Sequence, residues 1–384
     1  MNKKSFQISI IILFSSLISI PLIFSDKVGG KHSAAENRTL ASFPVLLTEN
    51  GTLNSHISLA FTNWIDDNAG FRTEARTINT VIDTQLFKTS TNPKVHIGKN
   101  GWYFYKEDNN IEIGKGEYLF SDDQLDNFLD NIERINRLIT NQNIELVFVF
   151  APSKVSVYPE YLSGAEFSVQ YTLIDQCADY LSNHSTINFI NLKEILVEEK
   201  KNQPVYFRTD THWNPEGQFV GYKFIINELN EFGIINTEPV NIYKTPETGL
   251  KDLSDMLGLN AKPFMESYQA LNIISPGAHL VESGAEYEKI VQLLGDQFEI
   301  SWYQHFENES VEEMKALVLA DSFFRLGYMP ALLAEHFSSL DVIRYFIATP
   351  SIISESKPDV IIIGISERYI PTLFLLNPNY LNPE

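Results

Sequence analysis

Asp210 and His212 sit two residues apart in the run Arg208-Thr209-Asp210-Thr211-His212-Trp213-Asn214-Pro215. A carboxylate that holds an imidazole fixes its tautomer and stabilises the imidazolium, which supplies two of the three parts of a nucleophilic triad. The third part is a hydroxyl, and Ser322 in Ala320-Asp321-Ser322-Phe323-Phe324 is the best candidate. It follows the apolar run Ala316–Leu319, and apolar residues resume behind it, so the serine falls where a strand gives way to a helix. Ligands of open α/β sheets bind beyond such strand ends. There the helix dipole and the serine N–H favour a developing oxyanion. His212 would take the Ser322 proton as general base, and Asp210 would orient it.

Each piece also has a plainer reading. Asp-x-His is often a hydrogen-bonded loop pair, and Asp-Ser after a strand is often only a helix cap. Half of a metal site is a third option, but the other seven histidines lie in no ligand-like spacing, so neither metal nor cofactor is expected. What favours catalysis is that base, orienting acid and nucleophile all fall at loop-to-helix junctions of one sheet.

The elements that must position these residues are legible in the same way. Asn214 is a good helix N-cap and Pro215 suits the first helical position. Phe219, Val220, Phe224, Ile225, Leu229 and Phe232 then approximate an apolar helical face. Ser121 with Gln124 spells a capping box, and Leu125, Phe128, Leu129, Ile132, Ile135 and Leu138 form a stripe behind it. Ile144–Phe150 and Asp359–Ile365 read as strands buried on both faces, with further strands at about 187–191 and 342–347. Strands alternating with helices predict an α/β fold with a mainly parallel sheet. Upstream, a helical region is expected between about 54 and 87, and Val95–Tyr105 reads as a hairpin turning at Asn100-Gly101.

Composition narrows the function classes. The 384 residues carry 29 basic and 49 acidic side chains, a net charge of −20, which argues against nucleic acid as partner. Cys177 is the one cysteine, so no intramolecular disulfide can form. Lys3 and Lys4 precede an uncharged, mostly apolar run from Phe6 to Phe24, close to the ~20 residues that span a bilayer. A signal-anchor is the first reading and a cleaved signal peptide the second; either sends the rest of the chain out of the cytoplasm. The division expected is an anchor or signal at 1–25, a linker at 26–43, a main domain at 44–372 with an insertion at about 236–313, and a tail at 373–384.

Together, Asp210-Thr211-His212-Trp213 and Asp321-Ser322-Phe323 resemble the SGNH-hydrolase-like alginate O-acetyltransferase family (AlgX/AlgJ-like). Asn37-Arg38, Phe71-Arg72, Gly98-Lys99-Asn100-Gly101-Trp102, Pro152-Ser153-Lys154 and Pro358-Asp359-Val360 agree with it. The resemblance spans about 36–372. It implies a three-layer SGNH-like sandwich with the motif order permuted, histidine before serine, and without a C-terminal carbohydrate-binding module. It further implies acetyl transfer onto hydroxyls of an exopolysaccharide through an acetyl-Ser322, outside the cytoplasmic membrane to which residues 6–24 anchor the chain. The acetyl group would come by way of a membrane-bound O-acyltransferase. The sequence departs from the general pattern in having Ala320 where a glycine precedes Asp-Ser. An acetyl esterase with the same triad is the nearest alternative, and a non-catalytic glycan-binding subunit of a secretion complex is another. For substrate contacts, Trp213 and Tyr206 could stack on a sugar ring or pack internally, and Arg325 could pair with a uronate carboxylate. Arg344, Glu367, Arg368 and Tyr369 lie near strand ends, facing the site or forming an ion-pair network.

Overall fold

The computed structural model describes residues 3–33, 38–47, 50–163, 168–259, 262–295, 302–344 and 350–374. Asn37, residues 345–347 of the last-but-one expected strand and all but the first two residues of the expected tail lie outside them. The described chain forms two compact units, residues 1–92 with 255–260, and residues 93–254 with 261–384.

The smaller unit is mainly helical, with a short antiparallel pair of His32–Ser33 and Arg38–Thr39. Helix α1 (Lys3–Ile23) contains the apolar run and is long and apolar enough to cross a membrane, with its side chains unburied. The expected helical region resolves into α2 (Ile57–Asn68), α3 (Arg72–Val81) and a wider π turn over Ile82–Phe87.

The larger unit opens with the strand pair β1 (Val95–Ile97) and β2 (Tyr103–Tyr105). Asn100 and Gly101 both take positive φ between them, +55° and +78°, as a tight turn demands. There follow α4 (Asp122–Thr140), β3 (Glu145–Ala151), α5 (Leu173–His184), β4 (Phe189–Asn191) and α6 (Pro215–Glu231). The Ser121–Gln124 capping box is present at the start of α4. Residues 236–313 hold an antiparallel hairpin, β5 (Ile242–Gly249) and β6 (Glu266–Ile273), then β7 (His279–Val281), α7 (Ala285–Leu294) and β8 (Tyr303–Glu307). Last come β9 (Lys315–Ala320), α8 (Ser322–Arg325), α9 (Met329–Ala334), β10 (Ser339–Arg344), α10 (Pro350–Ser356) and β11 (Val360–Ser366).

Seven strands form one sheet in the order β4-β3-β11-β9-β10-β8-β7. The first five run parallel, and β8 pairs antiparallel with both β10 and β7. Parallel strands need crossovers, and these put helices on both faces. Successive residues of β3 accordingly serve opposite cores: Val147 and Val149 pack toward α6 and α9, Phe148 and Phe150 toward α4 and α5. The fold is thus the expected three-layer α/β sandwich on a mainly parallel sheet, its β9 and β11 central and hidden from solvent.

Candidate active site

Asp321 and Ser322 follow β9 at the carboxyl end of this sheet. Asp321 is the N-cap of α8: its carboxylate accepts the Phe323 N–H at 2.8 Å. Its other oxygen accepts both the N–H (2.8 Å) and the hydroxyl (2.6 Å) of Ser366 at the end of β11. The serine's backbone is therefore fastened to two neighbouring strands. Close packing completes the fit, because a Cβ added at Gly364 of β11 would stand 2.6 Å from the Phe324 ring. The Ser322 N–H lies in the first turn of α8, where N–H groups have no intrahelical acceptor.

His212 comes from the loop before α6. Asn214 caps that helix by accepting the Gly217 N–H at 2.9 Å, and Pro215 occupies the first position, as the residue types imply. The first turn presses on the segment that enters the loop: a Cβ at Gly217 would be 2.1 Å from the Val205 carbonyl oxygen. Trp213 then donates its indole N–H to the Phe323 carbonyl at 3.1 Å, which ties the histidine loop to α8.

These two placements bring the three residues together. His212 Nε2 lies 2.8 Å from Ser322 Oγ, and Nδ1 lies 2.8 Å from Asp210 Oδ1. Asp210 also accepts the His212 backbone N–H (2.9 Å) and the Asp252 N–H (3.2 Å). Burial alone would raise the Asp210 carboxyl, but the hydrogen bonds and charge of His212 outweigh it and hold the group well below the usual carboxylate range. A fixed anion on Nδ1 and a hydroxyl on Nε2 is the arrangement in which an imidazole can accept a proton from a serine.

Three further groups shape the loop, and short-range sequence patterns do not disclose their roles. Lys154, buried to 3% exposure, donates to the carbonyl oxygens of Phe207 (3.3 Å), Arg208 (3.1 Å) and Asp210 (2.5 Å). Burial pushes its ammonium down to about 8, against the pull of Asp252, Asp210 and Glu266. Glu266 accepts the N–H groups of Arg208 (3.0 Å) and Thr209 (2.6 Å) and the Thr209 hydroxyl (2.5 Å). Asp252 accepts the Thr211 N–H at 2.7 Å and brings a second carboxylate to 3.5 Å from His212 Nδ1. Burial and the Asp210 charge both raise the Asp252 carboxyl. Asp210, His212 and Asp252 lie close enough to share a cation. Both ring nitrogens of His212 are already engaged, however, so a metal would have to displace Asp210 or Ser322.

The other candidates separate by burial. Trp213 and Tyr206 are each 1% exposed, and the Tyr206 hydroxyl donates to the Pro152 carbonyl at 2.5 Å. A sugar could stack on neither without opening the core, so here both are packing residues, their polar tips satisfied by carbonyls. Glu367 is wholly buried and accepts from Ser153 N, Ser156 Oγ, Thr172 Oγ1 and Ile174 N at 2.5 to 3.1 Å, a junction that fixes the end of β11. Arg368 lies over the rings of Tyr105 (5.0 Å), Tyr369 (4.9 Å) and, beside the serine, Phe323 (5.9 Å). Arg344 lies over Trp302 at 4.4 Å. The Arg325 carbonyl accepts from Gln304 at 2.9 Å, on the same short helix as Ser322.

Parts of the chain resemble known proteins. Residues 95–272 match the family model described as SGNH hydrolase-like domain, acetyltransferase AlgX. That stretch includes Asp210 and His212 and stops before Ser322. A protein of Azotobacter vinelandii named probable alginate O-acetylase AlgJ is 25% identical over 214 residues, 54% of this chain and 53% of its own length. Its namesake in Pseudomonas fluorescens is 23% identical over 305 residues, 76% of this chain and 71% of its own. The chain thus spans about half the length of the first relative and more of the second. The solved O-acetyltransferase domain of Pseudomonas putida AlgJ superposes with a TM-score of 0.49 at 18% identity, covering 75% of this chain and 97% of that one. Over residues 95–272, then, the chain is similar to the SGNH hydrolase-like domain of the acetyltransferase AlgX.

Proposed function

We propose that the protein is an O-acetyltransferase that moves acetyl groups onto hydroxyls of an exopolysaccharide, outside the cytoplasmic membrane, through an acetyl-Ser322 intermediate. The observation that carries this reading is the continuous chain Ser322–His212–Asp210, with contacts of 2.8 Å at both ring nitrogens. The names of the relatives supply the substrate class. In the first half-reaction Ser322 Oγ attacks the acetyl carbonyl carbon while its proton passes to His212 Nε2. The oxyanion forms against the Ser322 N–H, the bond to the leaving oxygen or sulfur breaks, and His212 returns the proton to that atom. In the second half a polymer hydroxyl attacks the acetyl-serine, gives its proton to His212, and leaves as the acetyl ester while Ser322 Oγ is reprotonated. Asp210 stays ionised throughout and stabilises the imidazolium. Residues 6–24 would hold the domain at the membrane, within reach of a membrane-bound O-acyltransferase that delivers acetyl groups.

The test is product analysis with an acetyl donor and an oligosaccharide acceptor. Acetylated oligosaccharide that disappears with Ser322→Ala supports the proposal. Free acetate alone, with the acceptor unmodified, would make the protein an esterase. Transfer that survives the substitution would dismiss Ser322 as nucleophile.

A further inference from the structure

A second histidine, on the antiparallel side of the sheet, is built like a metal ligand. His305 on β8 stands directly opposite Asp341 on β10, and its Nδ1 lies 2.8 Å from Asp341 Oδ1. The same carboxylate oxygen accepts the Tyr303 hydroxyl at 2.8 Å, so the aspartate is held from two sides. In the neutral ring, Nδ1 donating to Asp341 leaves the lone pair on Nε2. That nitrogen has no hydrogen-bond partner, although the residue is only 2% exposed. It borders a small pocket at the amino end of the parallel strands, since Lys315 and Ser339, the first residues of β9 and β10, line the same space. Ser322 follows the opposite, carboxyl end of β9.

Two carboxylates converge on the unpaired nitrogen. Glu307 lies two residues along β8, hence on the same face as His305, with Oε1 at 3.5 Å from Nε2. Glu286 comes from the first turn of α7, and one ligand atom from each of the three lies within 4.8 Å of the others. An ion ~2 Å from each donor would need only small side-chain movements from that spacing. A carboxylate behind the ligating imidazole is the usual outer support of a zinc-bound histidine, because it fixes the tautomer and raises the basicity of the ring. Charge points the same way. Glu286, Glu355 and Asp341 line the pocket with Lys315, and Glu355 is paired with Lys289 at 2.9 Å.

We propose that His305, Glu286 and Glu307 bind a divalent cation of the zinc type, with Asp341 orienting the histidine and an open fourth position. One imidazole and two carboxylates suit Zn2+ better than the all-oxygen ions. The site is remote from the serine and stands whether or not the acetyl-transfer reading holds.

The experiment is calorimetric titration of Zn2+ into the full-length, chelator-treated protein in detergent, with Co2+ absorption as a second readout of coordination. Saturable one-to-one binding is expected in the wild type, and equally in His212→Ala, where the Asp210–His212–Asp252 trio is disabled. Glu286→Gln and Glu307→Gln, both accessible enough to leave the fold intact, should each weaken binding at least tenfold. His305→Ala should abolish it. Absence of saturable binding, binding unaffected by both glutamine variants, or binding lost in His212→Ala would each overturn the proposal.

Discussion

Two histidines of this chain each face an aspartate at 2.8 Å, and they differ at the other ring nitrogen. His212 meets a serine hydroxyl there; His305 meets a pocket edged by glutamates. A third, His336, has hydroxyls at both nitrogens, Tyr222 and Thr237 at 2.7 Å each, and among the described residues no carboxylate on either. Burial pushes that imidazole down to about 4. An Asp–His contact therefore does not define a catalytic base. The task of the ring is set by what its second nitrogen is offered: a hydroxyl on a helix N-terminus, a set of anionic oxygens, or a neutral hydrogen-bond donor.

Substitutions can break this comparison in order of expected size. Ser322→Ala should lower acetyl transfer by roughly 10^6-fold and remove the acetyl-enzyme from intact mass spectra, while the protein stays folded. Asp210→Asn should cost about 10^4-fold by favouring the wrong tautomer; a loss below tenfold would show that Asp252, 3.5 Å from the same nitrogen, takes over the anchoring. Lys154→Met frees three loop carbonyls and should reduce kcat by about 10^2-fold through misplacement of His212, with a lower melting temperature. An unchanged kcat would mean that Glu266 and Asp252 suffice to hold the loop.

The remaining two effects are on stability. Because His305 is held above its ordinary value of about 6.5, its pairing stabilises the fold fully below that pH and loses effect as pH rises through the raised value. The gap in melting temperature between wild type and Asp341→Asn should thus be widest in acid and narrow in alkali; a gap independent of pH would mean that His305 stays neutral in the folded state. His336 has the opposite sign. Its folded value is depressed, so its contribution is complete above about 6.5 and is lost as pH falls from there to about 4. His336→Gln should flatten the acid limb of the melting curve against pH, the smallest of these changes.

Much of the chemistry was legible because it depends on residue types at element ends. Asn214-Pro215 announces a helix, and the runs at Ala316–Leu319 and Asp359–Ile365 announce buried parallel strands, so the positions of His212 and Ser322 follow from local rules. Lys154, Asp252 and Glu266 were not legible as loop supports, since they approach residues 207–211 from 41 to 58 positions away. Strands β7 and β8 were hidden for another reason. β7 is the short, mostly exposed edge strand, and β8 beside it carries polar residues such as Gln304, His305 and Glu307 where a central strand carries valine or isoleucine. The orientation of Trp213 and Tyr206 could not be read either, because an aromatic beside a helix start has the same sequence signature whether it faces a ligand or the core.

The hydrogen bond between His212 and Ser322 joins residues 110 positions apart. Closing a loop of that length costs about 4 kcal/mol in chain entropy, so the pair cannot persist in a chain that lacks the intervening sheet. Nucleophile and base are inert as fragments. Reactivity is thus a property of the assembled sheet, and a nascent or partly unfolded chain has no activated serine to spend on the wrong ester. Recovery of serine reactivity toward a small acylating probe during refolding should coincide with the slowest phase of sheet formation, which makes the site an internal clock for the completion of the fold.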